Sequence, residues 1–260
     1  MIYLLFISIT VAIMIFFIYQ WQYFMIFTPV YYREDGICEH CEYLSTTTDD
    51  GIELEGVVYE PSSQPKATLL FFGGRSDDSV ALINKLSQNY KEFRIVTFNY
   101  RSYGKSQGVA NEKNLFQDGL HVAYLVQKYY GDFYILGFSL GSSVATYVAS
   151  KHSTKALFLL GAFDSIASLV KQKYKVTLPS WLLRYKFETQ HYIQEVKAPV
   201  CLFASQNDTI TYIENTYYLK NYIVNLLCYE EYENLTHKEL LCYQPIVEKI
   251  NRIVDETVSV

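Results

Sequence analysis

Charge is scarce in this sequence of 260 residues: charged side chains make up 19 %, and their sum at neutral pH is −5. Such a chain lacks the broad basic surface that nucleic-acid binding requires, so we expect no nucleic-acid partner. Its five cysteines are too few and too widely spread for a disulfide scaffold. Internal repeats and low-complexity stretches are also missing. With half of its residues apolar, the chain can form one well-packed domain but not two of ordinary size.

The N-terminal segment carries no charge at all. Ile2–Tyr19 is almost wholly aliphatic and aromatic, and as a helix it would measure roughly 27 Å, close to the thickness of a bilayer core. Trp21 and Tyr23 follow where an aromatic belt at a membrane surface would stand. The sequence therefore predicts a single-pass membrane anchor with its interfacial belt in residues 1–28, and a linker in residues 29–42.

Three other interpretations of this segment stay open. A cleaved signal peptide needs a basic start and a small-residue cleavage site, and neither is present. A buried core helix usually has a polar face, and a helix lying on the membrane surface needs a charged one. The sequence does not indicate the side of the membrane, because Arg33, the first charged residue, is offset by Glu34 and Asp35.

Cys38 and Cys41 stand close together in the sequence Cys-Glu-His-Cys. A metal site would need at least two further ligands, and only His40 is close. A disulfide or two idle thiols is therefore the favoured interpretation, and the choice between them stays open. We predict no metal and no other cofactor.

From residue 43 onward the sequence alternates between strand and helix patterns. Residues 43–60 indicate a hairpin that turns at Asp49-Asp50-Gly51. The apolar runs of strand length are Ala67–Phe72, Phe93–Tyr100, Phe133–Phe138, Ala156–Leu160, Pro199–Ala204 and Asn225–Glu230. Helical patterns lie near 78–90, 112–129, 140–151, 211–222 and 238–254. This order predicts an α/β fold in residues 43–260, a mostly parallel sheet covered by helices on both faces, with the hairpin as an antiparallel edge.

The run Gly137-Phe138-Ser139-Leu140-Gly141 follows one of these strands and precedes a helix. This is the G-x-S-x-G pattern of a nucleophilic serine, in the strand–turn–helix context that the pattern requires. Gly137 and Gly141 are needed because side chains there would collide with the neighbouring strand and helix. The turn lifts the Ser139 hydroxyl out of the sheet, and the helix N-terminus favours the negative charge that develops during attack.

A nucleophilic serine needs a base, and the base needs an orienting carboxylate. Asp208 stands in a loop just after a strand, and His237 follows the last strand directly before a helix. The chain order Ser139, Asp208, His237 is the order that accompanies a G-x-S-x-G turn between a strand and a helix. We therefore predict that these three residues form a catalytic triad. His191 precedes Asp208 and adjoins no strand end, so we interpret it as a surface or packing residue.

The oxyanion formed by such an attack needs two backbone N–H donors. One should be the amide of Leu140, next to the nucleophile. The second should come from the loop Gly73-Gly74-Arg75-Ser76, whose glycines allow the backbone to approach a ligand closely. We favour the amide of Arg75, with Ser76 as second choice. An ordinary tight turn is the other interpretation of this loop.

Over roughly residues 43–255 the chain resembles the α/β-hydrolase family, and within it the branch with an N-terminal membrane anchor and almost no lid. Besides the G-x-S-x-G run around Ser139, the resemblance rests on Asn99-Tyr100-Arg101-Ser102-Tyr103-Gly104-Lys105-Ser106-Gln107-Gly108. It also rests on Leu115 and Asp118, which follow at a spacing similar to that of the family, and on Lys197-Ala198-Pro199 before a strand. Gly73-Gly74 departs from the usual His-Gly, and Ser102 stands where a glycine is common. These departures concern the oxyanion loop and substrate choice rather than the fold.

The resemblance implies a serine hydrolase that cleaves carboxylic esters or thioesters through an acyl-enzyme. Phe163–Tyr192 leaves about thirty residues for a lid, so we expect a shallow, open pocket. An anchor would hold that pocket near lipid headgroups, which favours acyl esters or thioesters of lipids or acylated proteins. A chain beginning near Glu42 should then be soluble and keep activity. A non-catalytic hydrolase-like binding protein and a serine peptidase are the alternatives.

Overall fold

The structure is a computed structural model that describes residues 2–31 and 36–258 of the chain. Its strands are β1 (Cys41–Thr47), β2 (Glu53–Tyr59), β3 (Ala67–Phe72), β4 (Phe93–Phe98), β5 (Phe133–Phe138), β6 (Leu157–Leu160), β7 (Val200–Ser205) and β8 (Leu226–Tyr232). Its helices are α1 (Ile2–Ile26), α2 (Ser79–Asn89), α3 (Glu112–Tyr130), α4 (Leu140–Lys151), α5 (Ile166–Tyr174), α6 (Thr189–Tyr192), α7 (Ile213–Lys220) and α8 (Gln244–Val258). Short 3₁₀ helices lie at Ser180–Leu182, Ile193–Glu195 and Glu239–Cys242.

These strands form one eight-stranded sheet in the order β1-β2-β4-β3-β5-β6-β7-β8. From β4 to β8 all neighbours are parallel, and β1 and β2 add an antiparallel edge. β5, β6 and β7 are buried at every position, which is why their sequences are continuously apolar rather than alternating. The predicted α/β fold, with a mostly parallel sheet and an antiparallel edge hairpin, is confirmed.

An apolar layer covers each face of the sheet. On one face α3 and α4 supply buried side chains such as Val122 and Val144. On the other face α2 and α8 supply Ile83 and Ile250. Each such burial contributes about 1.5–3 kcal/mol relative to exposure. The helices on both faces leave the carboxyl ends of the strands as the edge where loops can assemble a site.

Two boundaries differ from the sequence prediction. β4 ends at Phe98, before the predicted end, and the side-chain oxygen of Asn99, the next residue, accepts a hydrogen bond from the Ser79 amide (2.7 Å). α8 begins later than its pattern, after a separate 3₁₀ turn. Pro245 is its second residue, and proline fits a helix only in the first turn, where its missing N–H is not needed.

Helix α1 continues without a break to Ile26, beyond the predicted end of the span at Tyr19. Its stretch Tyr3–Ile26 is long and apolar enough to cross a membrane by length and composition, since 24 residues rise roughly 36 Å. Most of its described side chains are exposed, whereas Ile26 is only 7 % exposed and Phe27, just after the helix, 1 %. The end of α1 is therefore part of the domain core.

The described part of the predicted linker, residues 29–42, is held against the domain rather than standing apart. The Gly104 amide donates a hydrogen bond to the Val30 carbonyl (2.8 Å), and Tyr31 pairs with Gly104. Cys38 and Cys41 are joined as a disulfide. The charged triplet at residues 33–35 lies outside the described residues. The boundaries of anchor, linker and domain stay predictions.

Candidate active site

Ser139 occupies the tight turn between β5 and α4. Its backbone has φ 55° and ψ −121°, a conformation that costs a residue with a side chain about 1–3 kcal/mol. The Ser139 amide donates a hydrogen bond to the Leu160 carbonyl at the end of β6 (3.0 Å). A turn held in this way presents its side chain at the carboxyl edge of the sheet.

The glycines on either side of this turn leave no room for a side chain. A Cβ atom at Gly137 would lie 2.6 Å from the Cβ atom of Ala145 in α4. A Cβ atom at Gly141 would overlap the carbonyl oxygen of Phe72 at the end of β3. The two strands and the helix can approach this closely only because both positions are glycine.

Asp208 and His237 lie together, although the first follows β7 and the second follows β8. The distance from His237 Nδ1 to Asp208 Oδ2 is 2.6 Å, and the two side chains are 11 % and 1 % exposed. Burial alone would raise the pKa of Asp208, but the hydrogen bond and the charge of His237, together with hydrogen bonds from Thr211, hold this pKa below its ordinary value. Asp208 is therefore a carboxylate that can orient the imidazole ring.

Thr211 completes the surroundings of Asp208, and sequence reasoning missed it. The amides of Ile210 and Thr211 donate to Asp208 Oδ1 at 2.8 and 2.9 Å. The Thr211 hydroxyl donates to Oδ2 at 2.7 Å, so both carboxylate oxygens are engaged. An Asp whose side chain binds the backbone two and three residues ahead is a common turn former. The spacing of Asp208 and Thr211 was the available signal.

A capping arrangement holds the loop that carries His237. The Glu239 carboxylate accepts hydrogen bonds from the amide and the hydroxyl of Thr236 at 2.6 and 2.7 Å. The Ser205 hydroxyl, at the end of β7, donates to the Leu235 carbonyl (2.6 Å). The sequence Thr-His-Lys-Glu contains half of a helix-capping pattern, and sequence reasoning did not use it. These bonds fix the backbone immediately before His237.

The His237 ring stands beside the Ser139 turn. Its centroid lies 4.8 Å from that of Phe138, the residue before the serine. A Cβ atom at Gly161 would lie 3.0 Å from its Cε1 atom, so the ring packs against the end of β6. In the described chain no hydrogen bond joins the Ser139 hydroxyl to the ring; such bonds are often long before substrate binds and shorten in the complex.

The loop after β3 borders the same turn. A Cβ atom at Gly74 would lie 3.3 Å from that of Ser139, so the loop backbone approaches the nucleophile closely. The Gly74 amide is already bonded to Asp77 Oδ2 (2.8 Å), which makes the Arg75 amide the next donor along the loop. Leu140 is the first residue of α4, where N–H groups have no partner within the helix.

A cavity of about 120 Å³ opens beside Ser139. It is lined by Met25, Ile26, Arg75, Ser139, Leu140, Phe163, Ile166, Leu169, Val170, Lys173, Tyr174, Thr209, Ile210 and Thr211. The lining is mostly apolar, and its walls come from α5 and from the end of α1. The sequence prediction of a shallow, open pocket did not include α1 as a wall, because nothing in the sequence of the N-terminal segment indicates that its end packs beside Ser139.

Arg75 connects the end of α1 to the candidate oxyanion loop. Its guanidinium donates a hydrogen bond to the Met25 carbonyl, one of the last carbonyls of the helix. Its own carbonyl accepts hydrogen bonds from the Thr28 amide (3.2 Å) and from the Tyr103 hydroxyl (2.5 Å). A basic side chain at a helix C-terminus is favourable because helix carbonyls there lack partners. Sequence reasoning considered only the Arg75 amide.

The stretch that supports the resemblance forms the loop after β4. The Arg101 guanidinium is bonded to Asp118 (2.7 and 2.8 Å) and to Asp50 (2.6 and 2.8 Å), which joins α3 and the hairpin turn to this loop. Ser102 has φ 66°, a left-handed conformation that glycine adopts without cost. This left-handed backbone conformation explains why a glycine is common at this position in the family.

His191 is exposed on α6 and lies near Glu188, with 3.8 Å between Nδ1 and Oε2. Its interpretation as a surface residue is confirmed. Within residues 2–31 and 36–258 no group of three or more His, Cys, Asp and Glu side chains is arranged to hold a metal ion.

The sequence profile of the α/β hydrolase fold matches residues 68–207, which is more than half of the chain. The chain belongs to the α/β-hydrolase family. A protein named as an α/β hydrolase, L404 of Acanthamoeba polyphaga mimivirus, is 24 % identical over 197 residues, covering 71 % of this chain and 72 % of that protein. The lysophosphatidylserine lipase ABHD12 of Mus musculus is 43 % identical over 56 residues, which are 21 % of this chain and only 14 % of that relative.

Solved structures of esterases superpose on most of the chain. The esterase Pf2001 of Pyrococcus furiosus does so with a TM-score of 0.66 at 17 % identity, covering 89 % of this chain and 98 % of that one. The acetyl xylan esterase of Paenibacillus sp. R4 gives 0.65 at 13 % identity, covering 86 % of each. At such identities the likeness shows a shared fold.

Proposed function

We propose that this α/β hydrolase is a serine hydrolase that cleaves carboxylic esters or thioesters through a Ser139–His237–Asp208 triad. The observation that carries the proposal is the buried His237–Asp208 pair beside the Ser139 turn, with 2.6 Å between Nδ1 and Oδ2. A carboxylate bonded to Nδ1 leaves Nε2 as the atom that can accept a proton. A protein that only binds a ligand has no need of this arrangement.

The catalytic groups of the proposed reaction are residues of this chain. His237 removes the proton of the Ser139 hydroxyl while Oγ attacks the acyl carbon. The amides of Leu140 and Arg75 donate to the resulting oxyanion, and each such donor is worth about 2.7–4 kcal/mol of transition-state stabilisation. The leaving alcohol or thiol takes the proton from His237. Water, activated by the same ring, then hydrolyses the acyl-enzyme.

The cavity favours a single acyl chain as the group bound next to Ser139. Its volume of about 120 Å³ is small, and its α5 wall is formed by Ile166, Leu169 and Val170. The names of the relatives point to the same chemistry: one is a lysophosphatidylserine lipase and another an esterase. Transferred to this chain, they favour an ester, and among esters a lipid, over a peptide.

The proposal includes retention of α1 as a single-pass membrane anchor. A signal sequence is removed after processing, but Phe27 packs edge-on against Tyr185 with 5.0 Å between ring centroids. The Gln22 side chain also donates to the Leu182 carbonyl (2.8 Å). Removal of the helix by cleavage would break these contacts. They therefore support an anchor that stays attached to the domain.

Covalent labelling by a fluorophosphonate tests the proposal. Wild-type protein should be labelled, and Ser139→Ala should abolish labelling. Ser143→Ala, a buried serine one turn further along α4, is the matched control and should be labelled like wild type. Equal labelling of Ser139→Ala would overturn the assignment. Absence of labelling in wild type would favour the binding-protein alternative, and turnover of peptides but not of short esters would favour the peptidase.

A further inference from the structure

The segment from residue 165 to residue 187, here named the basic segment, departs from the charge of the whole chain. It contains five basic residues and no acidic one, although the chain carries a net charge of −5. The basic residues are Lys171, Lys173, Lys175, Arg184 and Lys186. The four lysines are exposed. In the described part of the chain no carboxylate forms an ion pair with any of them.

Large apolar side chains are exposed on the same segment. Trp181 is 70 % exposed, Val176 50 % and Tyr174 46 %. Single exposed apolar residues are ordinary on protein surfaces. Three of them on one segment with lysines that form no ion pair in the described chain are typical of a surface that binds at a membrane interface. At such a surface the apolar side chains enter the edge of the acyl region, and the lysines contact the headgroups.

Direct contacts place the basic segment against α1. The Gln22 side chain donates to the Leu182 carbonyl and accepts from the Arg184 amide, both at 2.8 Å. The Arg184 guanidinium donates to the Gln20 side chain (3.0 Å) and lies over the ring of Tyr19. The segment therefore adjoins α1 where its apolar stretch gives way to two glutamines.

The length of α1 determines the depth of this contact in a bilayer. From Tyr3 to Gln20 the helix rises roughly 26 Å, close to a hydrocarbon core of about 30 Å. With that part of the helix in the core, Gln20 and Gln22 stand at the level of the headgroups. The basic segment, bonded to both, stands at the same level.

We infer that the basic segment is a docking surface for a lipid bilayer whose surface carries anionic headgroups. The inference rests on the proposed membrane insertion of α1. Charge complementarity selects the occupant, because the segment offers only positive charge. Docking also brings the cavity beside Ser139 to the membrane, because Leu169, Val170 and Lys173 belong to the basic segment and also line this cavity.

The two tryptophans of the chain allow insertion and docking to be measured separately. Full-length protein is reconstituted in phosphatidylcholine vesicles with or without phosphatidylserine, using lipids with brominated acyl chains that quench tryptophan on contact. In Trp21→Phe the remaining Trp181 reports docking. In Trp181→Phe the remaining Trp21 reports insertion of α1. Hydrolysis is not part of the readout, so loss of the proposed enzyme activity cannot imitate failure of docking.

Trp181 should be quenched strongly in vesicles that contain phosphatidylserine, weakly in phosphatidylcholine alone, and less when salt is added. Lys171→Gln, Lys173→Gln and Lys175→Gln are then combined with Trp21→Phe. The triple substitution should remove most of the Trp181 quenching, because each lysine lost lowers the apparent affinity for the anionic vesicle by roughly fivefold. The control replaces Lys128, Lys151 and Lys155, exposed lysines at or just beyond the helix ends remote from Ser139, by Gln. It loses the same charge and should be quenched like the parent.

Quenching of Trp21 with no quenching of Trp181 would overturn the docking surface while leaving the anchor intact. Equal quenching of Trp181 in both kinds of vesicle, or equal loss in the control, would overturn the role of the lysines. No quenching of either tryptophan would overturn both the anchor and the surface that depends on it.

Discussion

The Arg75 guanidinium donates a hydrogen bond to the Met25 carbonyl, and this contact joins the last turn of the apolar helix to the loop beside the proposed nucleophile. Both residues line the cavity next to Ser139. The last turn of the N-terminal helix is therefore a wall of the candidate site. The proposed membrane anchor and the cavity beside Ser139 are linked through this contact.

Arg75→Ala should lower kcat/KM on a short soluble ester by roughly tenfold or more, since a hydrogen bond to a charged group is worth about 1.5–3 kcal/mol. The loop that carries the candidate oxyanion donor would lose its hold on α1. Arg184→Ala is the matched control, because Arg184 also contacts α1 but lies over the rings of Tyr19 and Tyr185, not at Ser139. Unchanged kinetics in Arg75→Ala, or an equal loss in Arg184→Ala, would contradict this role.

Truncation should separate the two parts of α1. A chain beginning at Gln20 keeps Gln22, Ile26 and Phe27 and should retain its fold and its activity on a short ester. A chain beginning at Glu42, which the sequence alone suggested would be active, lacks Phe27 and exposes the core that Phe27 covers. Because loss of one buried Phe side chain costs about 3–5 kcal/mol, this shorter chain should be less stable and less active. Thermal unfolding and ester turnover of both chains provide the measurement.

Phe27→Ala in the full-length chain is the companion experiment to the truncation. It removes the ring without removing α1, so it should lower the unfolding midpoint while the proposed membrane attachment is kept. A chain beginning at Glu42 that is as stable and active as the one beginning at Gln20 would show that the end of α1 is dispensable.

Asp208→Asn should lower kcat by about 10⁴, because the amide orients the wrong tautomer of His237. It should also change the response of stability to acid. The pKa of Asp208 in the folded protein lies below its ordinary value, which is about 3.9 in an unfolded chain. The contribution of Asp208 to stability is therefore complete above roughly pH 5 and is lost as pH falls through the lowered folded value.

Urea unfolding at a series of pH values compares Asp208→Asn with Ser139→Ala. Ser139→Ala is inactive but keeps the Asp208–His237 bond, so its stability should fall in acid like that of wild type. Asp208→Asn should be less stable at neutral pH and should lose less on acidification. Parallel acid curves for the two variants would mean that Asp208 is not the carboxylate held by His237.

Asp118→Ala should destabilise the fold by about 1.5–3 kcal/mol, because it removes the charged hydrogen bonds between the buried Arg101 and one of its two carboxylate partners. Arg101 is 4 % exposed and Asp118 5 %. Burial raises the pKa of Asp118, and Arg101 offsets this only in part. Asp132→Ala breaks the exposed pair with Lys155 (2.9 Å) and should leave the unfolding midpoint nearly unchanged. Equal midpoints in the two variants would contradict the importance of the buried pair.

Local patterns in the sequence were sufficient for the fold and for the candidate residues. Continuous apolar runs separated by amphipathic stretches predict a covered parallel sheet, because a strand buried on both faces has no polar side. Gly137 and Gly141 around Ser139 indicate a tight turn, since only glycine tolerates such close backbone packing. Chain order then selects Asp208 and His237 from a small number of candidates.

Contacts between distant segments were decided by tertiary structure alone. The bonds of Arg75 to Met25 and of Gln22 to Leu182 join residues 50 and 160 positions apart, and no local pattern encodes which segments will meet. The proposed anchor was predicted from its own apolar length, a property of consecutive residues. Its role as a wall of the site depends on where the domain folds back against Ile26 and Phe27, because shape complementarity and buried hydrogen bonds exist only between surfaces that folding has brought together.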